Sequence, residues 1–206
     1  VSGLYDDAYF AGGEYADYRG QEPAVRRNMR RHLTQMSRYR SAGGALLEVG
    51  CAYGFFLDEA RGQFDRVRGV DVAEGAVGYA RDRLGLDASV ADFPSLATPD
   101  RFDAICMWDT IEHVPDPDRF VAKAHELLAP SGHLFITTGD IDSFNARLRG
   151  AKWRQIHPPT HLNYFSKRTL GLMLTRLGFG VAGSETASYY HTLFDVCAIL
   201  EIRGGA

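Results

Sequence analysis

Acidic residues stand at or beside the ends of short apolar runs: Glu48 in Leu46-Leu47-Glu48-Val49, then Asp71, Asp92 and Asp109. Any one of them alone would serve as a loop cap. Gathered in one crevice, they would accept hydrogen bonds from the ribose hydroxyls and exocyclic amine of a nucleoside. That much negative charge would repel a pyrophosphate and attract a cation, such as a sulfonium that also carries an ammonium group. Between the first two acids lie Gly50 and Gly54, where the backbone can curl close to a ligand that a Cβ would block. A turn of this kind, opening a helix, aims backbone N–H groups at a carboxylate or hydroxyl above it. Histidines supply a second chemistry: His113 directly follows Glu112, and His157 and His161 flank Pro158-Pro159-Thr160. An imidazole titrates near neutral pH and can take a proton from a hydroxyl.

The elements that must position these groups follow from periodicity. Residues 46–57 read as a buried strand, a tight turn and the first turns of a helix. Before them, residues 21–40 predict a helix. Pro23 suits an early helical position, and Val25, Met29, Leu33 and Met36 recur at helical spacing. The other face carries Arg26, Arg27, Arg30, Arg31 and Arg38 and is expected to be solvated.

Strands are expected over 66–71, 88–93, 102–108 and 133–138, with helices over 74–84 and 118–128. Pro130-Ser131-Gly132 should stop the second of these helices. Ser166 should cap a helix over 167–177 with Leu170, Met173, Leu174 and Leu177 on its apolar face, and Gly178 should end it. Residues 179–189 and 192–202 read as two further strands. Strands and helices that alternate over short connections predict an α/β fold with a parallel sheet. In such a sheet a ligand sits outside the carboxyl ends of the strands, at the switch point.

Composition narrows the class. The chain has 206 residues, 45% of them hydrophobic and 24% charged, which suits a globular domain with a sizeable core. A net charge of −3 argues against a general nucleic-acid binder. The three cysteines, Cys51, Cys106 and Cys197, show no metal-ligand spacing and read as thiols in a reducing cytoplasm. No signal-peptide core is visible, and no apolar run approaches the ~18–20 residues a bilayer requires, so no membrane partner is expected. The tyrosine-rich opening reads as an arm whose Tyr9 or Tyr18 could belong to a lid.

Glu48-Val49-Gly50-Cys51-Ala52-Tyr53-Gly54 resembles the glycine-rich first motif of class I S-adenosylmethionine-dependent methyltransferases, with Ala52 in place of the frequent middle glycine. Asp71 is similar to that superfamily's ribose-binding acid, and Asp92 with Phe93 to its pair at the adenine ring. Trp108-Asp109-Thr110-Ile111-Glu112-His113-Val114-Pro115-Asp116-Pro117 resembles the segment after the fourth strand in the small-molecule subgroup, which includes ubiquinone-biosynthesis O-methyltransferases. Residues 153–166 resemble bacterial methyltransferases of glycan and natural-product pathways.

The resemblance implies a Rossmann-like, doubly wound, mostly parallel seven-stranded sheet closed by an antiparallel C-terminal hairpin. It implies S-adenosylmethionine as cofactor, held by Glu48, Gly50, Cys51, Ala52, Gly54, Phe55, Asp71, Val72, Asp92, Phe93, Trp108 and Asp109. One methyltransferase domain is expected. Residues 1–43 would be a lid-like arm and helix, 44–138 the cofactor core, 139–165 an acceptor-side cap, and 166–206 the helix and closing hairpin.

The implied reaction is methyl transfer to a small molecule, foremost a hydroxyl of a sugar, polyketide-like or quinone-like compound. Methylation at carbon or nitrogen, or a non-catalytic S-adenosylmethionine-binding domain, are the alternatives. A dehydrogenase would need G-x-G-x-x-G, which the turn lacks. His113, His157 and His161 are the candidate catalytic bases. No metal is assigned. Pro158 and Pro159 work against a helical zinc pair of His157 and His161, and a divalent ion on Asp109, Glu112 and His113 is the lesser reading.

Overall fold

The apolar run at Ala45–Val49 becomes the first strand, β1, with Leu46 and Leu47 completely buried. A computed structural model describes residues 18–187 and 197–204. The chain divides between Ala104 and Ile105 into two compact units. In the first, β1 pairs in parallel with β2 (Arg66–Asp71), placing Glu48 opposite Gly69 and Val49 opposite Val70. β2 pairs in parallel with β3 (Asp87–Val90), Asp71 standing opposite Val90. Parallel neighbours need a crossover between them, and α2 (Phe55–Ala60) and α3 (Glu74–Leu84) supply it. Gly85, at φ +65°, caps α3 in the left-handed region.

The third strand departs from its expected span of 88–93. It ends at Val90, because Asp92 and Pro94 open a 3₁₀ turn over Phe93–Ser95, closed by the Ser95 N–H donating to the Asp92 carbonyl (2.9 Å).

Helix α1 (Glu22–Met36) buries Leu33 and Met36 as its periodicity predicts, together with Asn28 and His32, while Val25 lies half-buried against an aromatic cluster. Its basic face is not uniformly solvated. Arg26 is drawn down onto α2, where its Nη1 donates to Asp58 (2.7 Å) and Glu59 (3.2 Å) and its Nε to Glu22 (2.6 Å). The guanidinium also lies 5.0 Å from the centre of the Phe55 ring. A charge that leaves water needs this many partners, and three carboxylates provide them.

Strand β4 (Phe102–Trp108) spans the division between the units. The strand order runs β3-β2-β1-β4 in the first unit and β4-β5-β7-β6 in the second. Helix α4 (Pro117–Leu127) starts on the Asp116 side chain, which accepts from the Arg119 N–H (3.2 Å). The helix ends at Leu127, within a residue of its expected end, but Pro130-Ser131-Gly132 form no separate stop and lie inside the next strand. β5 (Leu128–Thr137) follows α4 directly, and Ser131 stands at φ +64° within it.

After the short helix α5 (Phe144–Arg149), Ser166 opens α6 (Lys167–Arg176) in a capping box with Thr169. β6 (Phe179–Ala187) and β7 (Cys197–Gly204) pair antiparallel, with a register shift between Val181 and Gly183. β7 also pairs antiparallel with β5. The connection from β6 to β7 lies outside the described residues, as do Tyr9 and most of the tyrosine-rich arm. Among the described residues, no helix is long and apolar enough to cross a membrane.

Candidate functional site

In the first unit, the turn between β1 and α2 is held from below by β2. The N–H groups of Gly50 and Cys51 both donate to the Val70 carbonyl, at 2.8 and 3.2 Å. The Ala52 N–H donates to Asp71 Oδ2 (2.8 Å), and the Ala73 N–H donates to Asp71 Oδ1 (2.9 Å). One carboxylate therefore ties the loop after β1 to the loop after β2. Ala52 sits at φ +44°, a region that costs a residue with a Cβ roughly 1 kcal/mol. The Asp71 bond helps to hold it there. Gly54, at φ +77°, must be glycine for a second reason: a Cβ there would lie 2.5 Å from Leu86 Cδ1 and 2.9 Å from Ala80 Cβ. The turn can thus press against α3.

Glu48 is 4% exposed, and its Oε2 has no hydrogen-bond partner among the described residues. Burial, and next the Asp71 charge, push this carboxyl well above the usual range. Burial raises Asp71 as well, against the pull of the Ala73, Ala52 and Val72 N–H groups. Cys51 is a buried free thiol whose pKa is raised by burial, then by Asp71 and Glu48, so it stays protonated.

The remaining predicted cofactor residues of this unit fall into two groups. Val72 is 42% exposed beside Asp71, and Asp92 is exposed, accepting a hydrogen bond from the Ser95 hydroxyl (2.6 Å). Phe55 and Phe93 are buried side chains of the core. Phe55 belongs to an aromatic cluster with Tyr18, Tyr53 and Tyr79, whose ring centres lie 5.3–6.2 Å apart. A cavity of about 520 Å³, lined by Arg19, Gly78, Tyr79, Asp82 and Arg83, contains none of the predicted cofactor residues.

In the second unit, Trp108 ends β4 nearly buried, and Asp109 follows at φ +47°. The Asp109 N–H donates to Thr137 Oγ1 (2.8 Å), and that hydroxyl donates to Asp109 Oδ1 (2.9 Å). Glu112 is 3% exposed. Burial, and then the Asp109 charge, push its carboxyl up to about 8, with a hydrogen bond from Thr138 pulling back, so it is protonated at neutral pH. Its carbonyl accepts from the N–H groups of Leu162 (2.8 Å) and Asn163 (3.0 Å), and Asn163 Nδ2 donates to the Val114 carbonyl (2.7 Å). These bonds clamp the segment of residues 157–163 onto the loop after β4.

The clamp brings the three predicted histidines together although up to 48 positions separate them in the chain. The His113 and His161 rings meet edge to face with centres 4.5 Å apart, and His157 and His161 lie 6.3 Å apart. His113 Nδ1 lies 3.0 Å from the Thr160 carbonyl, and His157 Nδ1 lies 2.9 Å from Thr160 Oγ1. Glu112, His113 and His161 bring one ligand-type atom each within 4.8 Å of one another. That donor set differs from the Asp109, Glu112 and His113 of the sequence reading, and carboxylate-plus-imidazole sets of this kind suit a divalent cation. Thr160 carried no signal in the sequence, because its role depends on a carbonyl and a hydroxyl meeting rings brought in from two segments.

A family profile described as a methyltransferase domain matches residues 19–182. A ubiquinone biosynthesis O-methyltransferase of Thiobacillus denitrificans is 33% identical over 104 residues, covering 47% of this chain and 45% of that protein. The chain spans about half the length of such relatives. The crystal structure of the N-methyltransferase NodS from Bradyrhizobium japonicum WM9 with S-adenosyl-L-homocysteine superposes with a TM-score of 0.69 at 20% identity, covering 89% of each chain. The [4+2]-cyclase SpnF superposes with a TM-score of 0.69 at 22% identity, covering 85% of this chain and 80% of that one. These structural likenesses establish the α/β Rossmann-like fold, and the cyclase among them illustrates that a fold does not dictate one chemistry. The family profile covers most of the sequence, and the chain belongs to the methyltransferase domain family.

Proposed function

We propose that this chain binds S-adenosylmethionine at the turn of residues 50–54 and transfers its methyl group to a small-molecule hydroxyl. The observation that carries the reading is Glu48. A buried carboxyl with an unpartnered Oε2, under a glycine turn, is suited to an ammonium group. Asp71 has lone pairs beyond its bonds to the Ala52 and Ala73 N–H groups for ribose hydroxyls, and Val72 offers apolar surface to a base. Asp92, exposed and bonded to the Ser95 hydroxyl, completes the assignment within this unit. Phe55 and Phe93 support it from the core.

Bound there, the cofactor supplies an electrophilic methyl carbon on a sulfonium. An oxygen that accepts it must shed a proton, and an imidazole of the group His113, His157 and His161 takes that proton. The buried, protonated Glu112 keeps a negative charge away from these rings at neutral pH. A sugar, polyketide-like or quinone-like alcohol fits this chemistry, and the ubiquinone O-methyltransferase relatives support oxygen over carbon or nitrogen. The net charge of −3 favours such a molecule over nucleic acid, and the buried thiols Cys51 and Cys106 suit a reducing cytoplasm.

Calorimetric titration with S-adenosylmethionine, S-adenosylhomocysteine and NADH tests the first half. Micromolar binding of the two sulfur nucleosides and none of NADH is expected. Turnover of an alcohol acceptor tests the second half, and binding with no turnover across an acceptor panel would favour a non-catalytic binding domain. The Glu112, His113 and His161 donor set supports a second reading, in which a divalent cation activates the acceptor oxygen. Loss of turnover on dialysis against a chelator, restored by the cation, would select it.

A further inference from the structure

Thr160 meets two of the three histidines with two different atoms. Its carbonyl lies 3.0 Å from His113 Nδ1. A carbonyl oxygen can only accept, so a neutral His113 ring carries its proton on Nδ1 and has its lone pair on Nε2. Its hydroxyl donates to the His157 carbonyl (2.9 Å), which commits its one proton. The same oxygen, 2.9 Å from His157 Nδ1, then accepts from that nitrogen. His157 is thereby placed in the same tautomer as His113. The Thr160 and His161 N–H groups also donate to the His157 carbonyl, at 3.1 and 3.0 Å, so this tight turn fixes where both Thr160 oxygens stand.

We infer that Thr160 is a positioning residue that sets the proton location on two imidazoles, so that His113 and His157 both present Nε2 as a proton acceptor. The inference deepens the proposed methyl transfer to oxygen and rests on that reading for its functional consequence, though not for its geometry. A neutral imidazole in water exchanges its proton between two nitrogens. A base that must face an acceptor hydroxyl gains from having that choice made in advance. The residue type follows from the geometry. Only serine or threonine offers, beside its own carbonyl, a short hydroxyl that can donate back to a carbonyl three residues earlier while accepting from a ring.

The test is ¹⁵N NMR of the imidazoles in the full chain, alongside turnover. In the unmodified protein at a pH where the rings are neutral, His113 and His157 should both show a protonated Nδ1 and an unprotonated Nε2. Thr160→Val keeps the shape and the carbonyl but removes the hydroxyl. It should release His157 to a mixture of tautomers, leave His113 unchanged, and lower kcat on the order of tenfold with cofactor affinity intact. Thr160→Ser should restore both signals and rate. A proton on Nε2 of His113 in the unmodified protein, or a His157 signal unmoved in Thr160→Val, would overturn the inference. Correct tautomers in a protein that turns over no alcohol would instead count against the proposed reaction and leave the role of Thr160 standing.

Discussion

The Ala52 N–H donates to Asp71 Oδ2 at 2.8 Å, joining two residues 19 positions apart. The residue that departs from the usual glycine of the turn is held by the acid expected to bind the ribose. Asp71 thus holds the turn, and the proposed ribose binding would fall to the same carboxylate.

Asp71→Ala should consequently do two things. Loss of the charge-assisted bonds should weaken S-adenosylmethionine binding by ~1–3 kcal/mol, and release of Ala52 from its left-handed conformation should lower the melting temperature of the ligand-free protein. Calorimetry and thermal unfolding on the same preparation check both. Unchanged affinity in a folded variant would remove Asp71 from the ligand.

Glu48 makes the ligand-free protein sensitive to pH. Its folded carboxyl is raised above the ordinary value, so its contribution to stability is full below that ordinary value and is lost as pH rises through the folded one. Melting temperature without ligand should therefore fall as pH rises from about 5 upward. Glu48→Gln, which cannot ionise, should lose less over the same range and bind S-adenosylmethionine more weakly. Parallel pH curves for the two proteins would contradict the assignment.

Arg26→Ala should destabilise the protein by about 1–3 kcal/mol, because it takes one of two guanidinium partners from each of Asp58 and Glu59 on a partly buried surface and uncovers Phe55. Arg30→Ala, at a guanidinium 57% exposed and bonded to Glu59 among the described residues, should cost well under 1 kcal/mol. Urea unfolding of the two variants separates a buried ion network from a solvated charge.

His157→Ala should leave S-adenosylmethionine affinity intact and abolish turnover, since the ring meets Thr160 and His161 and is not among the residues assigned to the cofactor. Single-turnover kinetics with saturating cofactor check this. Full turnover would remove His157 from acceptor chemistry.

How far the sequence reaches is visible at particular residues. The strand 102–108, the helix 74–84 and the Ser166 cap were legible as they stand, because period, glycine and capping hydroxyl act over a few residues. So were the strand-end acids, whose type is anomalous beside apolar runs. The end of β3 at Val90 and the start of β5 at Leu128 were not legible, because a 3₁₀ turn over Phe93–Ser95 follows the first and the second strand runs through Pro130-Ser131-Gly132, residues that read as a stop.

By itself, then, the sequence determined the alternating α/β plan, the glycine turn after the first strand and the residues able to exchange a proton. Only the tertiary structure decided which of those residues meet. Phe55 and Phe93 went into the core, Arg26 left solvent for three carboxylates, and the loop after β4 drew in residues 157–163 through the Glu112 carbonyl and Asn163. The physical reason is range. Periodicity and capping are set by neighbours within one or two turns, whereas the Thr160 contacts to His113 span 47 positions and leave no spacing for a sequence to display.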